Sequence, residues 1–104
     1  MIKIFENGTT TECLKRCLDD GYRPMTTMGI VKAKKENKIK PEIWYDTSTF
    51  FNLDTGEIKD LSIKELRSVL SGKLRGRVLF VNGSCGGLCG ISLNNVGRFV
   101  GEKK

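Results

Sequence analysis

Four cysteines are the residues of this chain whose type and spacing are best suited to chemistry. They form two pairs with three intervening residues each, Cys13 and Cys17 in CLKRC and Cys85 and Cys89 in CGGLC. Residues four apart on a helix share a face with Cβ atoms about 5–6 Å apart, whereas a disulfide requires about 3.8 Å. We therefore expect that Cys13 and Cys17 do not bond each other and that both point toward whatever lies opposite their helix.

The sequence leaves four states open for these cysteines. The thiols can be reduced and buried, as free cysteines commonly are, or they can form disulfides within the glycine-rich loop or between the two motifs. They can hold a structural zinc as four thiolates, although paired zinc ligands more often have two intervening residues, or they can act as redox thiols. The residues of this disulfide or metal site are Cys13, Cys17, Cys85 and Cys89.

The chain contains no histidine. This excludes Ser-His-Asp and Cys-His catalysis, and it excludes histidine as a metal ligand. The glycine-rich stretch 82–91, NGSCGGLCGI, lacks the lysine and the spacing of a phosphate-binding P-loop. The sequence thus contains no catalytic motif, and our interpretation leans away from an enzyme.

The net charge of +6 is concentrated in two parts of the chain. Residues 22–42 contain six Lys or Arg and two acids, and residues 67–104 contain seven Lys or Arg and one acid. A basic surface attracts polyanions such as nucleic acid or an acidic protein, although a solvated lysine-rich surface has the same composition. We predict a phosphate-contacting face made of Lys32, Lys34, Lys35, Lys38, Lys73, Arg75 and Arg77.

Size and composition indicate one intracellular domain. The 104 residues are 38% hydrophobic and 29% charged, which is typical of a single globular domain. No apolar run approaches the roughly 18 residues of a membrane span, and the first residues lack the apolar core of a signal peptide. We predict a cytoplasmic protein, and the lack of glutamine beside abundant lysine resembles the composition of thermophile proteins.

Hydrophobic periodicity and capping residues predict three helices, at about 9–20, 26–37 and 62–71. The first and third begin with capping boxes of the form T-x-x-E and S-x-x-E. Short apolar or alternating runs predict strands between and after these helices. The expected strands are at about 1–6, 42–51, 57–60, 77–81, 90–93 and 98–101.

These elements predict an α+β fold in which residues 1–104 form a single small domain. The element order is roughly βααββαβββ, with about three helices packed on one face of a mostly antiparallel sheet. The predicted function is that of a small basic binding module, with nucleic acid as a ligand of the Lys/Arg face. The alternative is a cysteine-based protein that holds zinc or exchanges thiols.

Overall fold

A computed structural model describes residues 1–82, 89–91 and 96–103, with residues 89–91 described through their backbone alone. In this part of the chain, three helices and a mostly antiparallel sheet form a compact α+β fold, which confirms the predicted class. The elements are β1 (Ile2–Phe5), α1 (Thr10–Asp19), β2 (Tyr22–Pro24), α2 (Thr27–Lys35), β3 (Tyr45–Asn52), β4 (Ile58–Asp60), α3 (Ile63–Leu70), β5 (Gly76–Val81), β6 (Cys89–Ile91) and β7 (Phe99–Lys103).

Each helix begins at a hydroxyl residue whose side chain accepts a hydrogen bond from a backbone N–H in the first turn. Thr9 and Ser62 complete the two predicted capping boxes, because Glu12 and Glu65 accept from the N–H groups of these cap residues in return. Thr26 caps α2 by accepting from Gly29. These bonds satisfy N–H groups that a helix start otherwise leaves unpaired.

The strand order is β1-β7-β3-β5-β6, with β2 beside β7 and β4 beside β3. All these pairs are antiparallel except the short contact of β3 with β7, which is parallel. Strand β2 is not among the predicted strands, but Tyr22–Pro24 pairs with residues 101–103 of β7. The strand has only three residues and includes a proline, which lacks a backbone N–H donor. For these reasons the sequence pattern did not predict it.

Each face of the sheet has a hydrophobic core of its own. Phe5, Phe50 and Phe99 pack with helices α1 and α3, whereas Val81 and Val100 pack with α2. Phe99 and Val100 are neighbours in β7 and belong to different cores, as the alternation of side chains along a strand requires. We call the two sides of the sheet the α1/α3 face and the α2 face.

This division differs from the expected arrangement of all three helices on one face. Strand β5 shows the physical reason, because its sequence GRVLFV has apolar residues on both sides. Val78 belongs to the α1/α3 core, and Val81, three residues further on, belongs to the α2 core. Continuous apolar runs are typical of strands that are covered on both faces, so the run indicated a helix on each side.

A register shift in β3 fixes the beginning of α2. Between residues 46–50 the pairing of β3 with β5 shifts, and the hydroxyl of Thr47 donates to the carbonyl of Leu79 at 2.9 Å. The N–H of Thr27, the first residue of α2, donates to the hydroxyl of Thr49 at 3.1 Å. Helix α2 therefore begins directly over the irregular part of β3.

Candidate nucleic-acid interface

A groove of about 440 Å³ opens beside β1 and the segment that follows α2. Its apolar residues include Ile39 and Tyr45, which belong to the α2 core, and Lys38 and Lys40 on its border are exposed. The full lining is Ile2, Ile4, Glu6, Lys38, Ile39, Lys40, Ile43, Tyr45 and Arg98. Three of these residues are cations and one is an acid, so the groove combines an apolar floor with positive charge.

Contacts of the side chain and of the backbone hold Arg98 in this groove. Its guanidinium carbon lies 4.5 Å from the ring centroid of Trp44, its Nη1 donates to the Trp44 carbonyl at 3.3 Å, and its Nε lies 3.5 Å from a carboxylate oxygen of Glu6. The backbone N–H of Arg98 also donates to Oδ2 of the buried Asp46 at 3.1 Å. Arg98 is therefore a pre-positioned cation stacked on an aromatic ring, which favours contact with anions and with planar groups.

Lys34 does not belong to an exposed face, contrary to its place in the predicted set. The residue is 2% exposed, and its Nζ lies 3.4 Å from the Val81 carbonyl oxygen and 5.6 Å from the ring centroid of Tyr45. Burial lowers the pKa of Lys34, and the nearby carboxylate of Glu42 opposes this shift. Lys34 is thus a core residue behind the groove and is not available to a phosphate.

The outer side of α2 connects the groove to the irregular part of β3. Helix α2 begins at Thr27 over β3, and the segment that follows it contributes Lys38 and Lys40 to the groove. Lys32 and Lys35 are exposed between these two ends. They border a shallow hollow of about 410 Å³ with Met28, Gly29 and Val31, so the helix presents positive charge beside exposed apolar atoms.

Arg77 lies on the same side of the sheet as α2. It pairs in register with Phe51 of β3, while the adjacent Phe50 and Val78 belong to the α1/α3 core. Because side chains alternate along a strand, Phe51 and Arg77 point to the α2 face. The structure therefore brings Lys32, Lys35, Lys38 and Arg77 of the predicted set to one face.

The other two predicted cations lie in the link before β5. Lys73 is exposed, and a guanidinium nitrogen of Arg75 lies 2.8 Å from a carboxylate oxygen of Asp54. The predicted set also omitted Arg98 and Lys40. Arg98 is distant in sequence from every other cation of the groove, so only the pairing of β1, β3 and β7 brings it there.

Cys13 and Cys17 are free and fully buried on the α1/α3 face. Burial raises the pKa of Cys17 to about 12. Burial also raises the pKa of Cys13, although Nη2 of Arg16, which donates to its sulfur at 3.3 Å, opposes this shift. Both thiols therefore remain protonated near neutral pH, whereas the thiolate is the form that binds metals and attacks disulfides.

The structure does not bring Cys89 to the helix cysteines. Cys17 lies over β7, since its sulfur is 3.1 Å from where a Cβ on Gly101 would be. Cys89 lies in β6, and β3 and β5 separate β6 from β7. Three strand spacings amount to about 14 Å, which is more than twice a typical Cα separation in a disulfide.

Cys85 lies outside the described residues, so its part in the predicted disulfide or metal site stays a prediction. Among residues 1–82, 89–91 and 96–103, no group of three or more Cys, Asp or Glu side chains is arranged to hold a metal ion.

Within the same residues, no helix has the length and apolar character needed to cross a membrane. The chain matches no protein-family model, no curated protein and no solved structure.

Proposed function

We propose that this protein is a nucleic-acid-binding module whose α2 face contacts the sugar–phosphate backbone. The observation that supports this most strongly is the groove, in which Arg98 is stacked on Trp44 next to the exposed Lys38 and Lys40. Neutralising phosphates with Lys and Arg releases counterions, and this term supplies most of the affinity of sequence-independent binding.

The cations of the groove can exchange their present contacts for phosphate oxygens at low cost. Lys38 lies 3.1 Å from a carboxylate oxygen of Glu36, and both side chains are largely exposed. Exposed ion pairs of this kind contribute about 0–1 kcal/mol, so a phosphate can displace the carboxylate. Arg98 can stay stacked on Trp44 while a phosphate replaces the Glu6 carboxylate, which lies 3.5 Å from its Nε.

Trp44 is the sole tryptophan of the chain and contacts Arg98 of the groove, so its fluorescence should report binding at Arg98. We expect that titration with an oligonucleotide of about 12 nucleotides, within the range of known site sizes, changes this emission. The charge reversal Lys38→Glu/Lys40→Glu should weaken binding at least about tenfold. It should also reduce the slope of log affinity against log salt by about 1.5, because two phosphate contacts are lost.

Both positions follow the end of α2, so their reversal does not place negative charge in the last turn of the helix. The matched control is Lys15→Glu/Lys64→Glu, which changes the net charge equally at exposed positions of α1 and α3. The control should keep most of the affinity. An equal loss in both double variants would show that only net charge matters and would contradict the proposed site.

A further inference from the structure

We propose a second contact on the α2 face, a stacking platform for an unpaired base formed by Ile58, Phe51 and Arg77. It rests on the proposed function and names the ligand class more narrowly, as single-stranded nucleic acid. In a duplex the base faces are stacked on one another, so a platform of this kind takes only a base that is free of its neighbours.

The three residues form one row across three strands. Phe51 of β3 is in register with Ile58 of β4 on one side and with Arg77 of β5 on the other. Directly opposed residues on one face have Cβ atoms about 4.5–5.5 Å apart. The row therefore presents an aromatic ring between an aliphatic side chain and a guanidinium group.

This row is accessible, and burial in the core does not account for it. Ile58 is 58% exposed, Phe51 is partly exposed and Arg77 is exposed. The adjacent Phe50 is 2% exposed and supplies the aromatic contact of β3 with the α1/α3 core. An exposed isoleucine beside a partly exposed phenylalanine is an apolar surface to which a planar base can add contact area.

The charge of Arg77 indicates a ligand that combines a planar group with a negative one. Of the two arginines that flank Gly76, Arg75 is paired with Asp54 at 2.8 Å. Arg77 forms no ion pair with any carboxylate in the described part of the chain. A nucleotide matches this arrangement, because its base can stack on Phe51 while its phosphate reaches the free guanidinium.

The platform lies at one end of α2 and the groove lies at the other. Thr49, which anchors the first residue of α2, pairs with Asp60 in the row next to the platform. Nine helical residues span about 13 Å, and Lys32 and Lys35 are exposed along this length. A single strand that reaches from the platform to the groove thus passes Lys32 and Lys35 before it meets the cations of the groove.

The experiment compares a single-stranded oligonucleotide with a duplex of the same sequence by fluorescence anisotropy. Phe51→Leu keeps an apolar side chain and removes the ring, so we expect it to lose about tenfold in single-strand affinity while duplex affinity is unchanged. Phe51→Tyr keeps the ring and should bind like the unaltered protein. Urea midpoints establish that each variant is folded.

Ile58→Glu provides a test that does not touch the core, because Ile58 is 58% exposed. It places a negative charge beside Phe51 and should weaken single-strand binding at least about tenfold by repelling phosphate. Leu53→Glu is the matched control, since Leu53 is 57% exposed in the adjoining turn and lies outside the platform.

If Phe51→Leu and Ile58→Glu bind the single strand as the unaltered protein does, while Lys38→Glu/Lys40→Glu does not, the platform is refuted and the proposed function stands. Equal loss with Ile58→Glu and Leu53→Glu would also refute the platform. If the unaltered protein binds neither oligonucleotide, both proposals fail.

Discussion

The lysines of α2 carry the same charge but lie in different surroundings. Lys34 follows Ile30 by four residues and Ala33 by one, and all three are buried against the sheet. Lys32 and Lys35 lie on the outer side of the helix, away from this stripe, and are exposed. The long aliphatic stem of lysine allows such burial, but the ammonium group loses solvation, which is why the pKa of Lys34 is lowered.

Replacement of Lys34 should stabilise the protein at neutral pH. The lowered pKa means that the folded chain binds this proton less tightly than the unfolded chain, for which the ordinary value is 10.5. The free energy of unfolding therefore rises as the pH increases from the lowered pKa of Lys34 in the folded chain to 10.5, its pKa in the unfolded chain. We expect Lys34→Met to have a higher urea midpoint than the unaltered protein at pH 7, with the gap narrowing toward pH 10.

The control for this prediction is Lys35→Met, an exposed neighbour on the same helix. The urea midpoint of Lys35→Met should differ little from that of the unaltered protein. This difference should not narrow toward pH 10, because Lys35 is exposed. A midpoint for Lys34→Met that lies below that of the unaltered protein at pH 7 would show that the charged group stabilises the fold. The contacts with Val81 and Tyr45 would then outweigh its desolvation.

At the scale of elements, the helix starts depend on their caps. Thr9 and Ser62 each accept a backbone hydrogen bond and donate one to a glutamate side chain. We expect Thr9→Ala and Ser62→Ala to lower the free energy of unfolding by about 1 kcal/mol each, measured by urea denaturation. Thr11→Ala, at an exposed position inside α1, should be neutral or slightly stabilising, because alanine has the higher helix propensity.

The capping prediction is contradicted if Thr11→Ala is as destabilising as the two cap substitutions. Such a result would mean that the hydroxyl groups act through general surface solvation. The same local hydrogen bonds explain why these helix starts were predictable from sequence. A capping box is complete within four residues and needs no partner from elsewhere in the chain.

At the scale of the whole molecule, the sheet separates two chemical environments. The α1/α3 face encloses Cys13 and Cys17 with the aromatic core, while the α2 face carries the groove and the exposed cations. Thiols on the first face are therefore shielded by α1 and remote from any ligand on the second. The zinc and thiol-redox alternative receives no support from the two cysteines whose side chains the structure describes.

Alkylation should reach Cys13 and Cys17 only when the whole fold opens. Burial keeps both thiols protonated, with the pKa of Cys17 raised to about 12, and the thiolate is the reactive form. With iodoacetamide at pH 8, we expect both residues to stay unmodified in native protein for the time in which denatured protein reacts completely. Peptide mass mapping separates them from the other two cysteines.

Mild urea should increase modification of Cys13 and Cys17 in proportion to the globally unfolded fraction. If Cys17 in native protein reacts as fast as in denatured protein, burial does not protect this thiol. Modification that increases more steeply with urea than the globally unfolded fraction does would instead indicate local opening of α1. Unfolding followed by far-ultraviolet circular dichroism provides the comparison.

The helices, their starts and most strands were predictable from the sequence, which also shows that the chain contains no histidine. Capping boxes such as Thr9 with Glu12, and apolar runs such as that of β5, encode backbone structure through contacts between near neighbours. Composition also indicated a basic surface. These properties are local or additive, so they can be recognised without knowing which segments meet.

Which cations share a surface depends on the tertiary structure and could not be predicted from the sequence. The fold buries Lys34 and pairs Arg75 with Asp54. It also brings Arg98 from a distant part of the chain to a position beside Lys38 and Lys40. It also placed α2 opposite the other two helices. The physical reason is that the burial of a side chain depends on which element packs over it, and strand pairing between distant segments determines that packing.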